Sequence, residues 1–149
     1  MRAVVQRVSE ARVRVDGAVG GEIGRGLLAL VGVARDDGPA DVAYVAGKIR
    51  DLRVFEDSDG KMNLPLGEVG GAILVVSQIT LYGDCRKGRR PSFDRAAGPD
   101  AGRLLFEGVV GELRAGGVRV ETGTYQARMR LELVNDGPVT MLIDSRNEF

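Results

Sequence analysis

The run Ala72-Ile73-Leu74-Val75-Val76 carries no polar side chain. It is short and rich in β-branched residues, which suits a buried strand better than a helix. A second run, Gly26 to Ala34 (GLLALVGVA), is apolar throughout and bounded by charges, as expected of a strand buried on both faces. Such strands need cover on each side, which restricts the chain to layered or closed sheet architectures. The first run ends in Ser77-Gln78-Ile79-Thr80, whose three polar side chains can face a cavity while the strand stays anchored in the core. Farther on, Arg86-Lys87-Gly88-Arg89-Arg90 puts four positive charges into five residues.

The remaining segments supply the cover. Met1 to Val15 alternates as a strand, Asp16-Gly17 is a hairpin signal, and Ala18 to Ile23 is the return strand. Val42, Val45, Ala46, Ile49 and Leu52 recur at helical spacing and predict an amphipathic helix over 40–53. A short strand is expected over 53–56. Asp57-Ser58-Asp59-Gly60 then reads as a turn: as a calcium loop it has Met62 where glycine is needed. Residues 62–65 and 67–71 read as a surface loop. Asp100 can cap a helix over 101–115 with Leu104, Leu105, Val109 and Leu113 on one face, stopped by Gly116-Gly117. Three strands are expected over 118–122, 127–134 and 139–144, with Asn135-Asp136-Gly137-Pro138 as a β-turn by default. The expectation is one α+β domain over residues 1–149, of antiparallel or mixed, barrel-like β-sheets with two main helices.

Composition removes whole classes of chemistry. The 149 residues contain no histidine and one cysteine, Cys85. That excludes Ser-His-Asp and Cys-His catalysis, His-ligated metals and an internal disulfide. No metal or other cofactor is expected. Gly20, Gly21, Gly24 and Gly26 lack the spacing and the following helix of a dinucleotide fingerprint, so they read as turn and bulge glycines. Formal net charge is zero, so any nucleic-acid binding must rest on a local patch. No apolar stretch is long enough to span a membrane and no leader is evident. A soluble cytoplasmic protein is expected.

Ser77, Gln78 and Thr80 are the candidate catalytic groups. Hydroxyl and amide side chains with strand-exit N–H groups can form an oxyanion hole. They lack a general base, so either a carboxylate serves or the substrate assists. Gly137-Pro138 has no bulky side chain and can present bare carbonyl oxygens, from a turn or from a cis bond. Arg86, Lys87, Arg89 and Arg90 are either a solvated loop or a phosphate-attracting patch.

Several stretches together carry a resemblance. MRAVVQRV (1–8), Gly26 to Val33, FEDSDGKMNL (55–64), VVSQITLY (75–82), RKGRRPSF (86–93) and LVNDGPVT (133–140) resemble D-aminoacyl-tRNA deacylases of the bacterial and eukaryotic type. The resemblance covers nearly the whole chain. It implies a homodimer with active sites at the interface, hydrolysis of the ester between a D-amino acid and tRNA, and glycyl-tRNA as a further substrate. Ser77 to Thr80 match the motif lining the site. Gly137 and Pro138 match a Gly-cis-Pro motif that enters the partner subunit's pocket and excludes L side chains. Arg7 is similar to an arginine that adjoins that motif. Tyr125 and Met129 fall among the substrate-binding residues, and Arg86, Lys87, Arg89 and Arg90 among those that would meet tRNA. One departure stands out: Tyr125-Gln126 replaces the usual Phe-Gly. Tyr125 keeps an aromatic face for adenine, while Gln126 can narrow the pocket.

Two other functions fit these residues. One is a nucleic-acid-binding module with the fold but no activity. The other is a small-molecule esterase with Thr80 as nucleophile.

Overall fold

The two apolar runs lie side by side. In a computed structural model describing residues 1–149, β3 (Gly26–Gly32) and β6 (Ala72–Ser77) pair in parallel, with Leu27 beside Ile73 and Leu30 beside Val76. Their side chains alternate between two cores. Leu27, Ala29, Val31, Ile73 and Val75 face the larger one; Leu28, Leu74 and Val76 face the smaller. Each fully buried Leu, Ile or Val contributes about 1.5–3 kcal/mol, so this central pair anchors the fold.

The sheet is built outward from that pair. β1 (Arg2–Val15) runs antiparallel to β3, then turns at Asp16-Gly17 into β2 (Ala18–Ile23). Both turn residues have positive φ, 51° and 80°, as the tight hairpin requires. β7 (Arg119–Thr122) adds in parallel to β6. It comes up against β2, where a side chain at Gly21 would collide with the Thr122 carbonyl. The mixed sheet is thereby rolled into a nearly closed barrel. Val8, Ala11, Val13, Ile23, Leu28 and Leu74 fill its interior.

Two helices cover the outer face. α1 (Pro39–Asp51) begins with Pro39, and the Asp41 carboxylate accepts a hydrogen bond from the Gly38 N–H at 2.8 Å. It buries Val42, Val45, Ala46 and Ile49 of the stripe read from the sequence; Leu52, the last of that stripe, is the C-cap beyond the helix. α2 (Pro99–Ala115) starts two residues before the expected start, with Gly98 rather than Asp100 at its cap. Asp100 lies in the first turn, where its charge complements the helix dipole. The buried face is Gly102, Phe106, Val109, Val110 and Leu113. Leu104, placed on that face from the sequence, is 70% exposed.

Three further segments differ from the sequence reading. Met62–Leu64 is a strand, β5, paired with β4 (Phe55–Glu56) across the Asp57 turn. Leu66–Val69 forms a 3-10 turn rather than open loop. Most consequentially, β8 (Arg130–Asp144) is one strand of 15 residues, not two strands joined by a turn. It pairs with β1 on both sides of Asn135-Asp136-Gly137-Pro138. Asn135 opposes Val8 and Thr140 opposes Gln6, so residues 136–139 bulge out opposite Arg7 alone.

Candidate active site

β6 ends at Ser77, and the chain tightens into a 3-10 turn, Ile79–Tyr82. The change of direction opens a cleft of 340 Å³. Val76, Ser77, Gln78 and Ile79 form one wall. Ala97 and Pro99, leading into α2, close one end, and Tyr125 to Ala127, Met129 and Leu131 form the facing wall. Ser77, Gln78, Tyr125 and Met129 are thus brought together. Thr80 stands beside the cleft, where its hydroxyl accepts a hydrogen bond from the Gln78 side-chain amide.

The backbone decides what the strand exit offers. The Gln78 N–H is committed to the Val31 carbonyl at 2.8 Å. The N–H groups of Ile79 and Thr80 open the 3-10 turn and find no acceptor within it. No histidine exists in the chain, and no lining residue is acidic or basic. The cleft therefore holds no side-chain base of its own.

Tyr125 is fixed on both sides. Its hydroxyl donates to the Pro99 carbonyl at 3.2 Å, and its ring meets Phe106 at 5.9 Å. The Arg103 guanidinium lies 5.3 Å from the ring centre. Burial pushes the phenol's pKa up, which keeps it a donor. Gln126 lines the cleft with φ of 61°, a left-handed conformation. Val76, Ala97, Pro99, Ala127 and Leu131 were not foreseen as site residues; apolar, they carry no local signature of a site.

The Gly137-Pro138 peptide is cis and exposed, and neither residue lines the cleft. The default reading as a chain-reversing turn is thus replaced by a bulge within β8. Arg7 is buried at its base. Its Nε donates to the Asp136 carbonyl at 3.0 Å, and a terminal nitrogen donates to the Val54 carbonyl at 2.6 Å. The Asn135 amide ties the other side, donating to the carbonyls of Arg7 at 2.9 Å and Val139 at 3.2 Å. A Cβ on Gly137 would lie 2.6 Å from the Asn135 side-chain oxygen and would also meet the Val139 nitrogen. Only glycine fits.

The basic loop is exposed and uneven. Arg86 is bound by Asp84 at 2.6 Å, and the guanidinium holds that carboxyl well below the usual range. Lys87, Arg89 and Arg90 form no ion pair. Cys85 is exposed. No cluster of acidic or thiol side chains is arranged to hold a metal ion, and no helix is long and apolar enough to cross a membrane.

Similar proteins converge on one family. A model described as D-Tyr-tRNA(Tyr) deacylase matches residues 4–144. The D-aminoacyl-tRNA deacylase of Anaeromyxobacter dehalogenans (strain 2CP-C) is 64% identical over 149 residues, 100% of both chains. That of Koribacter versatilis (strain Ellin345) is 58% identical over 149 residues, again 100% of both. Among solved structures, the c-Myc DNA Unwinding Element Binding Protein superposes with a TM-score of 0.91 at 35% identity, covering 97% of this chain and 98% of that one. A probable eukaryotic D-amino acid tRNA deacylase superposes with a TM-score of 0.81 at 21% identity over 95% and 97%, a likeness of fold alone. By the span of the family model and the identity to full-length relatives, the chain belongs to the D-Tyr-tRNA(Tyr) deacylase family.

Proposed function

We propose that the chain hydrolyses the ester of D-aminoacyl-tRNA, and of glycyl-tRNA, to free tRNA and amino acid. The observation that carries this reading, beside family membership, is a cleft lined by Ser77 and Gln78 that holds no side-chain base. A substrate that brings its own assisting hydroxyl completes such a site. The 2′-OH of the terminal adenosine adjoins the ester and can relay the proton of an attacking water. Water adds to the carbonyl carbon. The Ile79 and Thr80 N–H groups hold the oxyanion, and the bond to the ribose 3′-oxygen breaks as that oxygen takes up a proton. Tyr125 and Met129 offer the adenosine a flat, apolar surface.

The second half of the site comes from another copy of the chain. Gly137 and Pro138 are exposed at the tip of a tethered bulge, flanked along β8 by exposed Val134 and Leu142. Ile79, at the cleft, is 52% exposed. In a twofold dimer each bulge enters the other's cleft, so one symmetric contact completes both sites. The bulge's carbonyls then hold the substrate's α-amino group and leave no room for an L side chain. Selection by exclusion suits an enzyme that accepts many D-amino acids. Lys87, Arg89 and Arg90 extend the surface offered to tRNA.

Incubation with D-tyrosyl-tRNA and L-tyrosyl-tRNA is the test. Loss of the D-ester alone is expected. A surviving D-ester defeats the reading, and equal cleavage defeats the chiral filter. With 2′-deoxyadenosine at the terminus, deacylation is expected to slow at least about 100-fold. A nucleic-acid-binding role without catalysis is the second reading, favoured by the name of the solved neighbour that binds a DNA unwinding element. It predicts tRNA binding with both esters intact.

A further inference from the structure

Met129 belongs to two cavities. One is the 340 Å³ cleft; the other is a polar hollow of 770 Å³ walled by Arg14, Arg128, Arg130 and Glu132, with the Asp16-Gly17 hairpin at its end. Arg128 and Arg130 flank Met129 along the chain where it leads into β8, and all three line the hollow. Arg130 stands directly opposite Arg14 in the β1–β8 ladder. Like charges in that position oppose pairing. Glu132 does not relieve Arg130: its carboxylate is bound by Arg14 at 2.7 Å and by Arg12 at 3.3 Å. Arg128 and Arg130 are exposed and take part in none of the ion pairs or side-chain hydrogen bonds of the neighbourhood. Asp16, the other carboxylate of the hollow, sits at the hairpin tip. In a chain of zero net charge, Arg128 and Arg130 are two adjacent cations that the carboxylates of the hollow leave unpaired.

We propose that Arg128 and Arg130, beside the Glu132-paired Arg14, form a phosphate-binding wall for the single-stranded 3′ end of the tRNA, taking up the strand where it leaves the cleft past Met129. The proposal rests on the deacylase reading, because that reading puts the terminal nucleoside in the cleft. Its chemistry is that of a phosphodiester backbone: guanidinium groups bind phosphate oxygens in pairs and read no base. Extending the substrate by one or two nucleotides carries its phosphates over the shared methionine and onto the arginines. The wall is separate in sequence and in cavity from the 86–90 loop.

The test compares a long and a short substrate in the full-length protein. For R128A/R130A, KM toward D-aminoacyl-tRNA is expected to rise about tenfold with kcat within about twofold, while D-aminoacyl-adenosine, which has no phosphate, is cleaved as by the wild type. Binding of uncharged tRNA is expected to lose about 0.7 of its logarithmic salt slope per arginine, so about 1.4 in all. An unchanged KM and salt slope overturn the proposal, as does an equal loss on the adenosine ester. A wild-type protein that cleaves neither D-ester defeats the deacylase reading instead. The uncharged-tRNA salt slope still judges the wall in that case.

Discussion

The exit of β6 at Ser77–Thr80 and the bulge of β8 at Asp136–Val139 are both breaks in a strand, yet they leave opposite things free. At the first, Ser77, Gln78 and Ile79 line a cleft and two N–H groups open a 3-10 turn with no partner within it. At the second, Arg7 and Asn135 tether the backbone from within, and the exposed tip is glycine and proline. One region receives and the other is presented. Under the proposed function, the working atoms of both are backbone atoms: N–H groups in the cleft and carbonyls on the bulge. Substitutions should therefore rank by how far they move main chain, not by how reactive the lost side chain is.

Gly137→Ala should have the largest effect. The added methyl collides with the Asn135 side-chain oxygen and the Val139 nitrogen, so the tip must shift. A displacement of about 1 Å at a positioning element costs on the order of 100-fold in rate. The same shift should open room for L side chains. Steady-state deacylation of D- and L-tyrosyl-tRNA measures both. A variant with normal rate and normal discrimination would remove the bulge from the site altogether.

Arg7→Ala should come next. It deletes a buried guanidinium and strips the Val54 and Asp136 carbonyls of their donor, at a cost of about 2 kcal/mol. Denaturant melts should show that loss. At a temperature where the variant is folded, the D-ester rate should fall about tenfold, since only the tether of the tip is slackened. Arg7→Lys should recover little, because an ammonium cannot reproduce the guanidinium's fixed fork. Lost stability with an intact rate would reduce Arg7 to a structural role and weaken the contrast between the two regions.

These regions were also unequally legible in the sequence. The β6 exit could be found because its apolar run is short, continuous and followed abruptly by polar residues. The bulge looked like a reversing turn because Asn-Asp-Gly-Pro is turn chemistry by local rules. What keeps the strand straight through it lies far away, in Arg7 and in pairing with β1 on either side. Locally, Arg7 is only a polar residue in an alternating strand; the family resemblance alone singled it out. Ala97, Pro99 and Leu131 reached the cleft through tertiary packing, and β5 was missed because Met62 and Asn63 are exposed and bury no apolar face. Exposed Leu104 shows the same limit: apolar content marks a helix, but register against the sheet decides which leucine is buried.

Thr80→Ala should have the smallest effect, and it separates the two catalytic accounts most cleanly. The hydroxyl is the nucleophile of the small-molecule esterase reading, but it does not line the cleft, and it accepts a hydrogen bond from the Gln78 amide. Removing it leaves an exposed amide that water can satisfy, so the fold should change by no more than about 0.5 kcal/mol. The Thr80 N–H, which the proposed mechanism uses, is present in alanine as well. A rate within about threefold of wild type is expected, equivalent to roughly 0.6 kcal/mol in the barrier. Single-turnover deacylation of D-tyrosyl-tRNA by the folded variant measures it. Complete inactivity would instead make the hydroxyl the attacking group, and would shift the chemistry of the strand exit from main chain to side chain.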